Sequence, residues 1–243
     1  LVLTEKIIKS KGIVAIIIDT PLLDKIKIKN IAKLIPTIII VDKVIKIQNT
    51  LSICPHPIKY NAVNFISGLH YYPFKKKKRN KNNFNILISL GFTDKNKLTE
   101  TVIKIFKEIV LEYRSSPFKY KIHIVAGDFF NNLEEIKRII LNNKNFKLHT
   151  NLSNLEKLYK VTDFAIGAPG FSQLERLEYC IPTILIPQTS THKNLLDYWE
   201  KINCACVVFN VKKNLKKKIE ELLYSKNLKN KVIKNIEIFI SKN

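Results

Sequence analysis

The chain has 243 residues, 46% of them hydrophobic and 26% charged, a balance that supports a packed core and excludes wholesale disorder. Its net charge of +22 is nearly all lysine, beside abundant isoleucine and asparagine and six glycines. That is the signature of an AT-rich coding bias rather than of a nucleic-acid reader, which favours the arginine fork, so no nucleic-acid partner is expected. Apolar runs end after about six residues, against ~20 for a bilayer-spanning helix, and no tripartite leader is visible, so a cytoplasmic protein without an integral membrane segment is expected.

Residues 13–18 and 37–41 read as short buried parallel strands, each followed by an aspartate, Asp19 and Asp42, with a helix around 29–34 between them. Residues 1–74 are therefore expected to be the later part of an α/β domain truncated at its amino terminus. The leucine start and the lack of methionine point the same way, to a piece of a longer reading frame. Residues 75–84 open with KKKKRNKNN and read as a solvated basic linker.

From Asn85 onward, apolar runs alternate six times with helical-period segments, the pattern of a parallel sheet flanked by helices. The runs are 86–90, 120–126, 146–148, 164–166, 183–186 and 206–209. The first helix shows an apolar face of Leu98, Val102, Ile105, Phe106, Ile109, Val110 and Tyr113, and Ser153-Asn154-Leu155-Glu156 reads as a capping box for a later one. Residues 85–224 thus form a complete α/β domain, and 225–243 a closing amphipathic helix.

Ligands bind parallel α/β sheets at the carboxyl ends of the strands, which selects three loops. In Ser89-Leu90-Gly91-Phe92-Thr93-Asp94, Gly91 permits a tight turn and Thr93 or Asp94 caps the next helix. In Gly167-Ala168-Pro169-Gly170-Phe171-Ser172, two of the six glycines fall between a strand and a helix start, where exposed N–H groups favour an anion. Glu175, in the first turn of that helix, either complements the dipole or accepts hydrogen bonds from a diol such as ribose. In the third loop, His192 stands at a helix N-terminus, which disfavours its charged form and leaves a neutral imidazole for a ligand. His56, His70, His123 and His149 read as structural. Cys54, Cys180, Cys204 and Cys206 read as reduced core thiols: Cys204-Ala205-Cys206 is too tight for a zinc knuckle, and Cys54-Pro55-His56 lacks a second half, so no metal or cofactor is expected.

The run from Asp163 through Gly170 to Glu175, followed by the run from Cys180 to Pro187, resembles the nucleotide-sugar motif in the second domain of GT-B-fold proteins. The run from Ile86 to Asp94, with Leu98-Thr99, is similar to a stretch of one branch: the UDP-sugar hydrolases of pseudaminic acid synthesis and the spore-coat polysaccharide proteins. Gly68-Leu69-His70-Tyr71-Tyr72-Pro73-Phe74 looks like that branch's aromatic segment, and Asp19 and Asp42 fall where its strand-end aspartates belong. The resemblance implies two doubly wound Rossmann-like domains of GT-B type, the first truncated. It implies a UDP-sugar or similar nucleotide-sugar as partner, bound by Gly91, Thr93, Gly167, Gly170, Phe171, Ser172, Glu175 and His192. It implies a UDP-sugar hydrolase of surface-polysaccharide or nonulosonic acid synthesis, with a GT-B glycosyltransferase as the alternative and a non-catalytic remnant or a basic nucleic-acid module behind it. The branch's Gly-x-Gly-His histidine, which activates water, belongs upstream of Leu1, so no catalytic residue is assigned. The branch's Gly-Gly is Gly91-Phe92 here, and its Gly-Gly-Ser-Thr turn is Pro169-Gly170-Phe171-Ser172.

Overall fold

A computed structural model describes residues 2–19, 24–41, 46–58, 62–80, 84–112, 120–127 and 129–243. They fall into two units, Leu1–Pro73 and Phe74–Asn243. In the first unit, α1 (Val2–Ser10) precedes β1 (Ile16–Asp19), α2 (Lys25–Ala32), β2 (Thr37–Ile40), β3 (Thr50–Cys54) and β4 (Phe65–Ser67). The strands form one parallel sheet in chain order, with Ile16 opposite Thr37 and Ile40 opposite Ile53. Ile28, Ile39, Val41, Ile47, Cys54 and Phe65 make its core. Asp24 starts α2 by accepting the N–H groups of Ile26 and Lys27. Asp19 ends β1 and is exposed; Asp42 lies outside the described residues.

Sequence periodicity misses β3 because its alternation is inverted. Thr50 and Ser52 are buried while Leu51 and Ile53 are half-buried, and the Thr50 hydroxyl is satisfied by donating to the Ile47 carbonyl at 2.8 Å.

The second unit runs β5 (Asn85–Ser89), α3 (Leu98–Glu112), β6 (Lys121–Val125), α4 (Leu133–Ile140), β7 (Phe146–His149), α5 (Glu156–Val161) and β8 (Phe164–Gly167). It continues through α6 (Phe171–Glu178), β9 (Thr183–Leu185), α7 (Ser190–Lys201), β10 (Cys206–Val207), α8 (Val211–Tyr224) and α9 (Lys226–Lys242). Its six strands are parallel in the order β10-β9-β8-β5-β6-β7. The chain winds outward from β5 to β7, then restarts at β8 on the other side of β5. The direction of winding therefore reverses between β5 and β8. Ile86, Leu87, Ile88, Phe164, Ala165 and Ile166 are all fully buried, as continuous apolar strands covered on both faces must be.

Two local expectations are corrected. α5 has no capping box: its N-cap is Leu155, without a side-chain cap, and the Asn154 side chain instead accepts the Glu156 N–H at 3.2 Å. The basic segment is exposed at residues 75–78 and 80, but it is pinned to the second unit rather than running free. The Lys75 N–H donates to the Glu178 carboxylate at 3.0 Å, and the Lys77 N–H to the Glu178 carbonyl at 2.8 Å. Arg79 donates from Nη1 to the Thr162 and Asp163 carbonyls, both at 2.9 Å. A run without apolar residues was bound to look solvated, but its backbone and its arginine find partners on the second unit. The closing helix α9 packs on α6 and α8, burying Val232 and Ile236 and pairing Lys229 with Asp163 at 2.9 Å. No helix among the described residues is long and apolar enough to cross a membrane.

Inside the sheet, His123 Nδ1 lies 2.8 Å from His149 Nε2, and His123 Nε2 lies 3.2 Å from the Asn85 side-chain oxygen. Burial first, then His149 and the ammonium groups of Lys121 and Lys147, push His123 down from 6.5 to about 4. Burial also lowers His149. The unfolded chain therefore takes up protons first as pH falls. The stability from this pair is complete above pH 6.5 and is lost toward pH 4. The urea midpoint should thus drop between pH 6.5 and about 5, above the carboxylate range, and drop less in a His123→Gln variant; equal pH profiles would contradict the assignment.

Candidate functional site

The reversal between β5 and β8 is where a doubly wound sheet opens a crevice at its carboxyl edge. Loops from β5, β8 and β9 meet there, since β8 lies between β9 and β5.

After β5 the chain turns at Gly91, whose φ of +108° is a conformation that side chains rarely adopt. Asp94, not Thr93, caps α3: its buried carboxylate accepts the N–H groups of Leu98 at 2.8 Å and Thr99 at 2.9 Å. Thr93 is half-buried beside it. Gln188, after β9, ties this loop to the third one. Its side-chain amide donates to the Leu90 carbonyl, and its own carbonyl accepts from the Asn96 side chain at 3.0 Å. The two loops thereby bridge the end of β8.

The middle loop leaves β8 at Gly167 and enters α6 at Gly170, an N-cap with no side-chain cap. The first turn of α6, at Phe171 and Ser172, thus starts from a glycine that offers no capping side chain, a setting that favours an anion. His192 stands over this turn, with Nε2 4.0 Å from where a Cβ on Gly170 would be. The Gln188 N–H points at His192 Nδ1 at 3.2 Å, which makes Nδ1 the acceptor and leaves the proton on Nε2, toward the turn. The structure therefore brings Gly167, Gly170, Phe171, Ser172 and His192 together, with Gly91 and Thr93 on the adjoining strand end. Glu175 is exposed on α6 beyond its first turn, which holds no acidic residue, contrary to the expectation, and its carboxylate is held by the Tyr159 hydroxyl at 2.9 Å.

Sequence reasoning missed Arg176. Its side chain is wholly buried on α6. Nε donates to the Gln173 side-chain oxygen at 3.1 Å, and Nη2 donates to the Ala168 carbonyl at 2.7 Å. A Cβ on Gly167 would meet the guanidinium at 2.6 Å. Gly167 is thus a glycine for space: it makes room for Arg176. The signal was present in the sequence, one of only four arginines in a lysine-rich chain, set between Leu174 and Leu177.

A cavity of about 1090 Å³ opens at the opposite edge of the same sheet, lined by Arg79, Tyr120, Asp163 and Lys229 among others. Several of its charges are engaged, Lys229 with Asp163, Lys76 with Glu237 and Arg79 with two carbonyls, while Lys78, Lys226 and Lys234 also line it. The carboxyl edge, where α6 starts at a glycine and the His192 imidazole is positioned, is the candidate ligand site. Among the described residues no group of three or more His, Cys, Asp or Glu side chains could hold a metal. The four cysteines are free and buried, and burial pushes Cys204 up to about 12 and Cys206 to about 11, which keeps them unreactive thiols.

Replacing Asp94 with alanine should lower stability by about 1–2 kcal/mol in urea unfolding, whereas Thr93→Ala should change it little. The reverse ranking would return the cap to Thr93.

No protein-family model matches the chain. It is 28% identical over 152 residues to the uncharacterized protein MJ1062 of Methanocaldococcus jannaschii, a match covering 59% of this chain and 30% of that protein. The chain thus spans less than a third of the curated relative's length. Among solved structures, S. aureus MnaA in its co-structure with UDP superposes with a TM-score of 0.65 at 12% identity, over 95% of this chain and 71% of that one. A glycosyltransferase from Rickettsia africae ESF-5 gives 0.64 at 12% identity, over 99% and 75%. The fold is α/β of GT-B type, with parallel, Rossmann-like sheets in both units.

Proposed function

We propose that this chain binds a nucleoside diphosphate-sugar through its second unit and serves in glycosyl transfer. The observation that carries this reading is the uncapped N-terminus of α6, set at the winding reversal with the His192 Nε2–H turned toward it. The diphosphate docks at Gly170, Phe171 and Ser172, and the ribose diol hydrogen-bonds Glu175, whose carboxylate Tyr159 holds in place. Breaking the bond between the sugar's anomeric carbon and its phosphate oxygen leaves negative charge on the diphosphate. Preset N–H groups stabilise that charge without reorganising, and without a metal. The UDP of the MnaA co-structure and the glycosyltransferase from R. africae support this reading.

A UDP-sugar hydrolase needs the same diphosphate site and differs only in taking water as the acceptor. Transfer to a hydroxyl acceptor is preferred because a superposed structure of this fold is itself named a glycosyltransferase.

Calorimetry with UDP tests the binding half. Glu175→Ala should weaken UDP about tenfold to a hundredfold, the worth of a hydrogen bond to a charged group. Unchanged affinity in a folded variant would leave Glu175 with no part in binding beyond its bond to Tyr159. UDP release measured with and without acceptor sugars tests the other half: dependence on an acceptor is expected, and release at the same rate in water alone would favour the hydrolase.

A further inference from the structure

Arg176 has more hydrogen-bonding capacity than the protein uses. Its Nη1 is buried without a partner, and so is the side-chain nitrogen of Gln173, which is fully buried beside it. The assignment of that amide is fixed by its oxygen, which accepts from Arg176 Nε. No ion pair joins Arg176 to a carboxylate among the described residues, although a buried charge ordinarily has one. Two buried donors and one full positive charge therefore lie directly behind the 167–170 turn.

The contacts show what this charge does to the turn. Nη2 draws the Ala168 carbonyl into the interior, so that oxygen is kept off the surface on which an anion would rest. The next peptide nitrogen belongs to Pro169 and has no N–H. The donors left to the turn begin at Gly170, at the entrance to α6. Gly167 packs against the guanidinium from the other side, so any displacement of Arg176 would be transmitted to the backbone.

We propose that Arg176 is the positioning residue that makes this site selective for a charged diphosphate, by holding the Ala168 carbonyl inward and by placing a buried positive charge, with no carboxylate in ion-pair contact, behind the N–H groups of α6. The proposal rests on the nucleotide reading above and adds its basis for discrimination. The bound diphosphate supplies negative charge beyond the field that Glu175 already exerts on Arg176. A neutral nucleoside, which leaves the turn empty, gains nothing from Arg176.

The test compares UDP with uridine by calorimetry, for the wild type and for Arg176→Met, Arg176→Lys and Gly167→Ala. Arg176→Met should weaken UDP about tenfold to a hundredfold and leave uridine within about twofold, collapsing the ratio of the two affinities. Arg176→Lys keeps the charge and should recover most of the UDP affinity. Gly167→Ala keeps the arginine but forces it from its seat, and should also weaken UDP selectively; it carries the test if the methionine variant does not fold. Because the charge is buried, the ratio between wild type and the methionine variant should persist at high salt. Equal losses for UDP and uridine would reduce Arg176 to a packing residue, and UDP binding unchanged in Arg176→Met would overturn the proposal while leaving the nucleotide site intact. A wild-type chain that bound no UDP would overturn the nucleotide reading itself, and this proposal with it.

Discussion

A parallel sheet sealed on both faces can do chemistry only at its ends. The middles of β5 and β8 are fully buried, and every hydrogen-bonding group of those segments is used in the sheet. Polar groups that remain for a ligand must come from the loops at the carboxyl edge and from the helix ends those loops start. The strand order then decides which loops meet. Because β8 lies between β9 and β5, the first, fourth and fifth loops of the second unit converge, and the second loop also touches the first, with Gly127 and Phe129 against Phe92.

Within that constraint the 167–170 turn is shaped from both sides. Beneath it, Arg176 fills the space a side chain on residue 167 would occupy and holds the Ala168 carbonyl. Above it, Gln188 bridges to Leu90 and presents its N–H to His192, which fixes the imidazole's tautomer. Local structure, packing and electrostatics agree on one direction: donors outward at α6, acceptors inward. A buried arginine without a carboxylate is costly to stability, and its retention at this turn is most simply explained by a ligand that carries the opposite charge.

The second unit was legible in the sequence because strands buried on two faces must be continuous apolar runs. All six runs coincide with strands to within a residue or two at their ends. The first unit was harder to read. In β3 the hydroxyl residues face inward and the aliphatic ones lie half-buried, which reverses the usual pattern. Residues 75–80 are exposed apart from the half-buried Arg79, and what charge pattern alone did not show is that Arg79 spends its donors on the Thr162 and Asp163 carbonyls. At the site, strand-end glycines and helix starts could be found from spacing alone. Arg176, Gln188 and Tyr159 could not, because their roles depend on which loops the strand order brings together. Spacing also assigned Gly167 to anion binding, whereas its contact with the Arg176 guanidinium explains it by space.

The high lysine content plays little part in this arrangement. Most recorded lysine pairs are exposed, such as Lys137 with Glu134 and Lys160 with Glu156, and exposed pairs contribute about 0–1 kcal/mol each. The charge that matters is the single buried guanidinium. The most direct measurement is the backbone amide spectrum of the isotopically labelled chain titrated with UDP. The largest shifts are expected at Gly170, Phe171 and Ser172, with a smaller response at His192 and Glu175. Shifts centred instead on Arg79, Tyr120 and Lys229, at the opposite edge of the sheet, would contradict the placement of the site.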